Sequence, residues 1–272
     1  MAGFELGRDD RGPLGKLAVA ARRAARIQAL GARPLDRARL FFGTFVLLAS
    51  AQTGRRGRDR LVVSLRGGGR VVLSDYSHLH LLELIFVDRN YDVRPVSAPR
   101  VIVDLGSNIG LSVRFFAQRY PGARVFGVEP DPAAFALLER NVAGLENVTV
   151  RQAAVGDRSG TATFWSAPGA VASSLHRTHD AQAAVEVPVE TLGRLLEDFG
   201  VEHVDILKLV VEGSEFEALR SVDLARVNAI AGEIVFGEGE RSQEAFLALL
   251  SDYDVELIGS EGVFAQYTAR RR

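Results

Sequence analysis

Residues 101–110 read Val101-Ile102-Val103-Asp104-Leu105-Gly106-Ser107-Asn108-Ile109-Gly110, and this stretch decides the fold. A run of β-branched apolar residues makes a strand, an acid sits near its end, and a glycine-rich turn leads into residues 111–119 (LSVRFFAQR), which carry a helical pattern. Gly106 and Gly110 let the backbone take dihedrals closed to other residues and come close to a ligand. The helix behind them offers unpaired N-terminal amides. Such a strand–turn–helix unit binds nucleotide-like ligands outside the carboxyl ends of the strands.

Outward from this unit, short apolar runs alternate with helical ones. Residues 125–128, 148–150, 204–209 and 229–236 read as strands, and 132–141, 215–221 and 242–250 as helices. Residues 255–258 and 263–267 read as a closing hairpin. Apolar strands separated by helices of this length imply a parallel sheet covered on both faces, a doubly wound α/β domain. Between 156 and 188 the alternation lapses, and 161–165 and 185–189 are predicted as extra strands around a polar loop. Upstream, 61–65 and 70–73 flank Arg66-Gly67-Gly68-Gly69 as a hairpin, and 79–87 follows as a helix.

The charge is uneven. The chain has 272 residues and a net charge of −1, yet residues 1–60 hold 13 basic against 5 acidic residues and the remainder 20 against 29. Lys16 to Leu30 (KLAVAARRAARIQAL) reads as a basic amphipathic helix, either covering acidic protein surface or meeting an anionic partner. No aromatic is interleaved with its arginines, so nucleic acid is not an expected partner. Residues 40–51 (LFFGTFVLLASA) form an apolar run of 12, well short of the roughly 20 residues a spanning helix needs. The run is read as a packed helix, with contact at a membrane surface as the alternative and signal cleavage disfavoured by the long charged stretch before it. The absence of cysteine excludes disulfides, thiolate nucleophiles and zinc–thiolate sites. A Gly-x-Ser-x-Gly elbow and a histidine-rich metal spacing are also missing from the sequence.

The ligand's identity turns on two residues. A dinucleotide fingerprint wants glycine where Asn108 stands, and Asp104 would repel a diphosphate. An acid there suits an ammonium group instead, such as the amino-acid end of S-adenosylmethionine. Glu129 ends the next strand about twenty residues on, where a carboxylate accepts both hydroxyls of a ribose. That role is shared by NAD and adenosylmethionine sites and does not choose between them.

The chain resembles the FkbM-type methyltransferases, a branch of the class I adenosylmethionine-dependent fold. The resemblance rests on residues 104–110, Glu129-Pro130-Asp131-Pro132, Asn141-Val142, Ala153-Ala154-Val155-Gly156-Asp157, Ser173-Ser174-Leu175, residues 187–192 and Asp205 to Glu215 (DILKLVVEGSE), in order across about residues 60–260. It implies a mostly parallel seven-stranded sheet and methyl transfer to a hydroxyl of a sugar, macrolide, lipid or other specialised metabolite. S-adenosylhomocysteine is the implied product. The implied cofactor residues are Asp104, Gly106 and Asn108 near the methionyl end, Glu129 at the ribose, and Ala154 and Val155 at the adenine, with Ser107, Gly110 and Pro130 as further cofactor-binding residues.

One position departs from the family pattern. Lys-x-Asp-x-Glu-Gly is usual at the end of the fourth strand, and here Val210 replaces the Asp. Valine neither holds a cation nor takes a proton, so a divalent cation is doubtful. A base elsewhere, a weakened or inactive relative, and a simple substitution all remain open, with an NAD-dependent oxidoreductase as the more distant alternative. The expected catalytic residues are Glu212 with Lys208, then His176; no metal ligand is assigned. Lys208 stands out because 31 of 33 basic residues are arginine. Glu233 is a further acid expected to face the site, either in catalysis or paired with Lys208. His179 neighbours His176, and His78 and His80 are candidates for an acceptor pocket. The expected organisation is a basic extension over 1–60, a hairpin and helix on the acceptor side over 61–98, and a catalytic domain over 99–272. A cytoplasmic protein acting on a small hydroxylated molecule is expected, with homo-oligomerisation and membrane-surface contact by the basic arm as further partner readings.

Overall fold

Parallel pairing around the glycine turn organises the larger part of the chain. The structure is a computed structural model describing residues 12–55, 60–93, 98–166, 183–259 and 264–272. The chain divides into two compact units, Met1–Asn90 and Tyr91–Arg272.

In the first unit, α1 (Pro13–Ile27) and α2 (Pro34–Gln52) both begin with proline in the first turn, where the missing amide costs no hydrogen bond. Helix α1 buries Ala20, Ala24 and Ile27, one side of a 3.6-residue period. Its Arg23 and Arg26 reach Glu83, at 2.9 and 2.6 Å, and Arg26 also pairs with Asp88. The 12-residue apolar run lies wholly within α2, which buries Leu40, Thr44, Leu47 and Leu48. Among the described residues no helix is long and apolar enough to cross a membrane. Strands β1 (Leu61–Ser64) and β2 (Arg70–Leu73) form the predicted hairpin, with Leu61 opposite Leu73. Gly43 has a packing reason: a Cβ there would stand 2.7 Å from the side chain of Leu61.

The helix expected over 79–87 starts earlier and changes character. α3 (Tyr76–Leu82) is followed by a π-helical turn, Glu83–Val87. Its start is set by a capping box, in which Asp75 accepts from the Ser77 amide at 2.9 Å and the His78 ring accepts from the Asp75 amide at 3.3 Å.

The second unit holds β3 (Val101–Leu105), α4 (Leu111–Arg119), β4 (Arg124–Val128), α5 (Pro132–Val142) and β5 (Val148–Arg151). A side sheet follows, made by β6 (Ala154–Val155), β7 (Gly160–Ser166) and β8 (Ala183–Glu190) in the order β6-β8-β7. The chain continues through α6 (Leu192–Asp198), β9 (Ile206–Leu209), α7 (Glu215–Arg220), β10 (Ala229–Val235), α8 (Gln243–Leu249), β11 (Tyr253–Ile258) and β12 (Phe264–Arg271). Seven strands make the main sheet, ordered β11-β12-β10-β9-β3-β4-β5, parallel except for β12 against both β10 and β11. The doubly wound, mostly parallel seven-stranded sheet expected from the sequence is therefore present. Helix α6 was not anticipated, although Thr191 caps it by accepting from the Arg194 amide and Leu192, Leu195 and Leu196 line its buried side.

One face of this sheet is apolar. Val103, Leu105, Leu207 and Leu209 join Phe216, Phe246 and Tyr267 there, and Phe126 stacks on Phe199 at 4.6 Å. The opposite face of the same strands carries the charged residues.

Candidate active site

Strand register brings the acids and the lysine together. Asp104 on β3 lies beside Lys208 on β9, and Lys208 lies beside Ala231 on β10. Side chains alternate with a period of two, so Glu233, two residues past Ala231, shares their face. Asp104, Lys208 and Glu233 are all buried.

Lys208 meets three oxygens. Its Nζ donates to the carbonyls of Gly106 at 2.6 Å and Leu105 at 3.3 Å, and stands 3.0 Å from Oδ1 of Asp104. A compact ammonium with three donors fits this pocket, whereas a planar guanidinium does not. That accounts for a lysine in a chain built with arginine. The other Asp104 oxygen accepts from the Ser112 hydroxyl in α4. Lys208 thus holds the carbonyl side of the glycine turn.

The turn is tight. Gly106 and Gly110 have φ of 74° and 83°, and Asn108 sits at 49°. A Cβ on Gly106 would lie 1.7 Å from the carbonyl oxygen of Val210, so no other residue fits there. The Ser107 hydroxyl turns inward to the Asp104 carbonyl at 2.9 Å. Glu129 follows β4 and bridges two turns: its carboxylate accepts from the Asn108 amide at 2.7 Å and the Asp131 amide at 2.9 Å. Burial pushes Glu129 up to about 7 against the pull of those amides. Asp131 caps α5 by accepting from Ala133 and Ala134, with Pro132 at the first helical position. Pro130 is half-buried between Glu129 and this cap. Ala154 and Val155 are buried in β6, beside Val189 and Glu190 of β8.

A second group gathers where β9 and β10 end. Val210 is half-buried and ties β9 to β3 through its backbone, its amide donating to the Leu105 carbonyl at 3.1 Å. Glu212 has φ of 49° and Gly213 of 100°, a sharp turn pinned by Glu215, which accepts from the Gly213 amide at 3.0 Å. Burial, then the charges of Glu233 and Glu215, push Glu212 up to about 8, with Lys208 pulling the other way. Burial also raises Glu233, opposed by hydrogen bonds from Tyr91 at 3.0 Å and Gln266 at 3.3 Å. Lys208 lies 5.5 Å from the Tyr91 ring centre.

Glu212, Glu233, Lys208, Asp104 and Glu129 therefore belong to one electrostatic cluster. The pairing of Lys208 is with Asp104; Glu233 takes its hydrogen bonds from Tyr91 and Gln266 instead. His176 and His179 lie outside the described residues. The other two histidines have partners within the first unit. His78 caps α3, and the His80 ring accepts from Arg23 at 3.1 Å. Sequence reasoning missed Tyr91, Ser112 and Gln266. Tyr91 lies in Asn90-Tyr91-Asp92, which reads only as a turn, and Gln266 reaches the cluster only through antiparallel pairing opposite Glu233.

The chain is similar to known methyltransferases. The methyltransferase FkbM domain matches residues 104–255. The chain is 31% identical over 228 residues to methyltransferase sdnD of Sordaria araneosa, covering 69% of this chain and 88% of the relative. It is 33% identical over 186 residues to 31-O-demethyl-FK506 methyltransferase FkbM of Streptomyces tacrolimicus, covering 62% and 67%. Among solved structures, the N-terminal domain of EvdMO1 with SAH bound is similar at 13% identity and a TM-score of 0.46, covering 73% of this chain and 86% of that one.

Proposed function

The chain belongs to the FkbM methyltransferase family, and from that premise we propose that it methylates a hydroxyl of a small specialised metabolite in the cytoplasm, with Glu212 as the proton acceptor. The protein is an S-adenosylmethionine-dependent O-methyltransferase. When bound, the cofactor supplies an electrophilic methyl group on a sulfonium. The residues present fit it: Glu129 is a buried carboxylate after β4, and Asn108, Gly106 and Gly110 form a turn whose backbone takes positive φ. In this reading Glu129 accepts from the ribose hydroxyls, the glycine turn receives the methionyl end, and Ala154 and Val155 flank the adenine. Asp104 acts from beneath the turn, through Lys208 and Ser112.

The observation that carries the chemical assignment is the crowding of half-buried Glu212 by the buried acids Glu233 and Glu215. An alcohol becomes acidic only as its oxygen attacks, so a base of nearly neutral proton affinity serves it best. Burial supplies that affinity here, and Val210 leaves the task to its neighbour. Alignment of oxygen, carbon and sulfur supplies much of the acceleration.

Calorimetric titration with S-adenosylhomocysteine tests the site. Micromolar binding in the wild type, weakened at least tenfold by Glu129→Ala, is expected. No heat at near-millimolar ligand overturns the reading.

A further inference from the structure

The first unit carries an exposed surface that is both apolar and basic. On α2 the residues Leu35, Arg39, Phe42, Val46 and Ala49 are all exposed, and their spacing of four, three, four and three places them on one line of the helix. Leu35, Phe42 and Val46 are 60%, 67% and 54% exposed, unusually open for large apolar side chains. A cavity of about 280 Å³ opens beside Leu35, lined by Arg33, Arg39 and Arg70 together with Asp36 and Ser64. The single carboxylate in that lining is committed: Asp36 is buried, accepts from the Ser64 amide at 3.1 Å and stands 3.7 Å from Arg39.

The electrostatics of the unit point the same way. Its described acids are engaged within the unit: Asp36 as above, Asp75 in the cap of α3, and Glu83 and Asp88 with Arg23 and Arg26. Meanwhile Arg22, Arg33, Arg55, Arg66 and Arg70 stand exposed. A second copy docking through this face would set arginine against arginine. A bilayer of anionic phospholipid offers both complements at once, phosphates for guanidinium groups and acyl chains for Leu35, Phe42 and Val46.

We infer that this face of α2 docks on an anionic phospholipid membrane, lying in the interface without crossing it, with headgroup phosphate drawn to Arg33, Arg39 and Arg70. The inference does not depend on the methyl-transfer reading.

Cosedimentation of the full chain with vesicles tests it. The protein should pellet with phosphatidylglycerol–phosphatidylcholine vesicles, stay in solution with phosphatidylcholine alone, and be released at molar salt, where charges are screened beyond about 3 Å. Phe42→Asp combined with Val46→Asp should weaken binding at least tenfold, and Arg33→Gln combined with Arg70→Gln should erase the preference for the anionic lipid. Far-UV circular dichroism and the urea unfolding midpoint, unchanged in both variants, report that the chain, its first unit included, still folds. As a measurement that removes no apolar surface, Phe42→Trp in a Trp165→Phe background should shift its emission to the blue on adding anionic vesicles. Failure of the wild type to pellet, pelleting unaffected by either pair of substitutions, or an unshifted tryptophan overturns the inference. A vesicle-free dimer that Phe42→Asp with Val46→Asp dissociates also overturns it, assigning the face to a second copy.

Discussion

The two ends of the charged sheet face treat their carboxylates differently. Where β3 and β4 end, Asp104 has an ammonium and a hydroxyl beside it, and Glu129 accepts from two backbone amides. Where β9 and β10 end, Glu212, Glu215 and Glu233 crowd one another, and burial and like charge together raise the proton affinity of Glu212. The first end spends its acids on fixing a turn, which is what binding a nucleoside requires. The second leaves an acid poised near neutrality, which is what moving a proton requires. Lys208 lies between them, paired to the first end and moderating the second.

Removing Lys208 should break this comparison most severely. Lys208→Met leaves Asp104 buried without its cation and the Gly106 carbonyl without its donor. Loss of one partner of a buried pair costs about 3–5 kcal/mol, readable by urea unfolding. A loss under about 1 kcal/mol would mean that the turn does not depend on the pair.

Glu129→Gln comes next and touches binding. It should weaken S-adenosylhomocysteine at least tenfold and cost about 1–3 kcal/mol in unfolding, because the Gln amide keeps one oxygen for one backbone amide and turns its NH2 on the other. The wild-type carboxyl protonates at about 7, so its affinity should rise from pH 6 to 8 and that of the variant should stay flat. Equal pH dependence in both would remove Glu129 from the ribose.

Glu212→Gln separates the two ends. Turnover should fall about a hundredfold, within the usual share of a general base, with cofactor affinity changed by less than threefold. In the wild type kcat/KM should climb with pH, pass half its maximum near 8, the value to which Glu212 is pushed, and level above it. Stability runs the other way. With its proton affinity raised by folding, Glu212 keeps a proton that the unfolded chain has released, so its contribution is full below about 4.5 and is lost as pH rises toward 8. Glu212→Gln should therefore flatten the fall of Tm across that window. A steeper fall would show that Glu212 is held as a stabilised carboxylate.

The sequence made one end far more legible than the other. The glycine turn, Asp104 and Glu129 are local: each follows from a strand running into a turn, and the chain itself carries the spacing. Lys208 stood out by composition, but its partner did not, because Glu233 and Asp104 are equally available until the β3–β9 register is known. Tyr91 and Gln266 were invisible for the same reason, since they meet Glu233 from strand pairing and from a turn 142 residues away. The doubly wound sheet followed from periodicity and its seven mostly parallel strands from family resemblance, whereas the strand order and the π-helical turn after α3 had no pattern to announce them.

The smallest effect tests whether the second end acts as one titrating group. Tyr91 donates to Glu233 and lowers its proton affinity. Tyr91→Phe removes that donor, so Glu233 should hold its proton to higher pH and press less negative charge on Glu212. Glu212 then titrates lower, and the midpoint of the pH–rate profile should move down by a few tenths of a pH unit, with stability reduced by about 1–2 kcal/mol for the lost hydrogen bond. A midpoint that stays in place would mean that Glu233 does not tune Glu212. A midpoint that moves upward would mean that Tyr91 acts on Glu212 by a path other than Glu233. The direction of the shift therefore decides the coupling, because a merely structural loss would lower stability and leave the profile where it was.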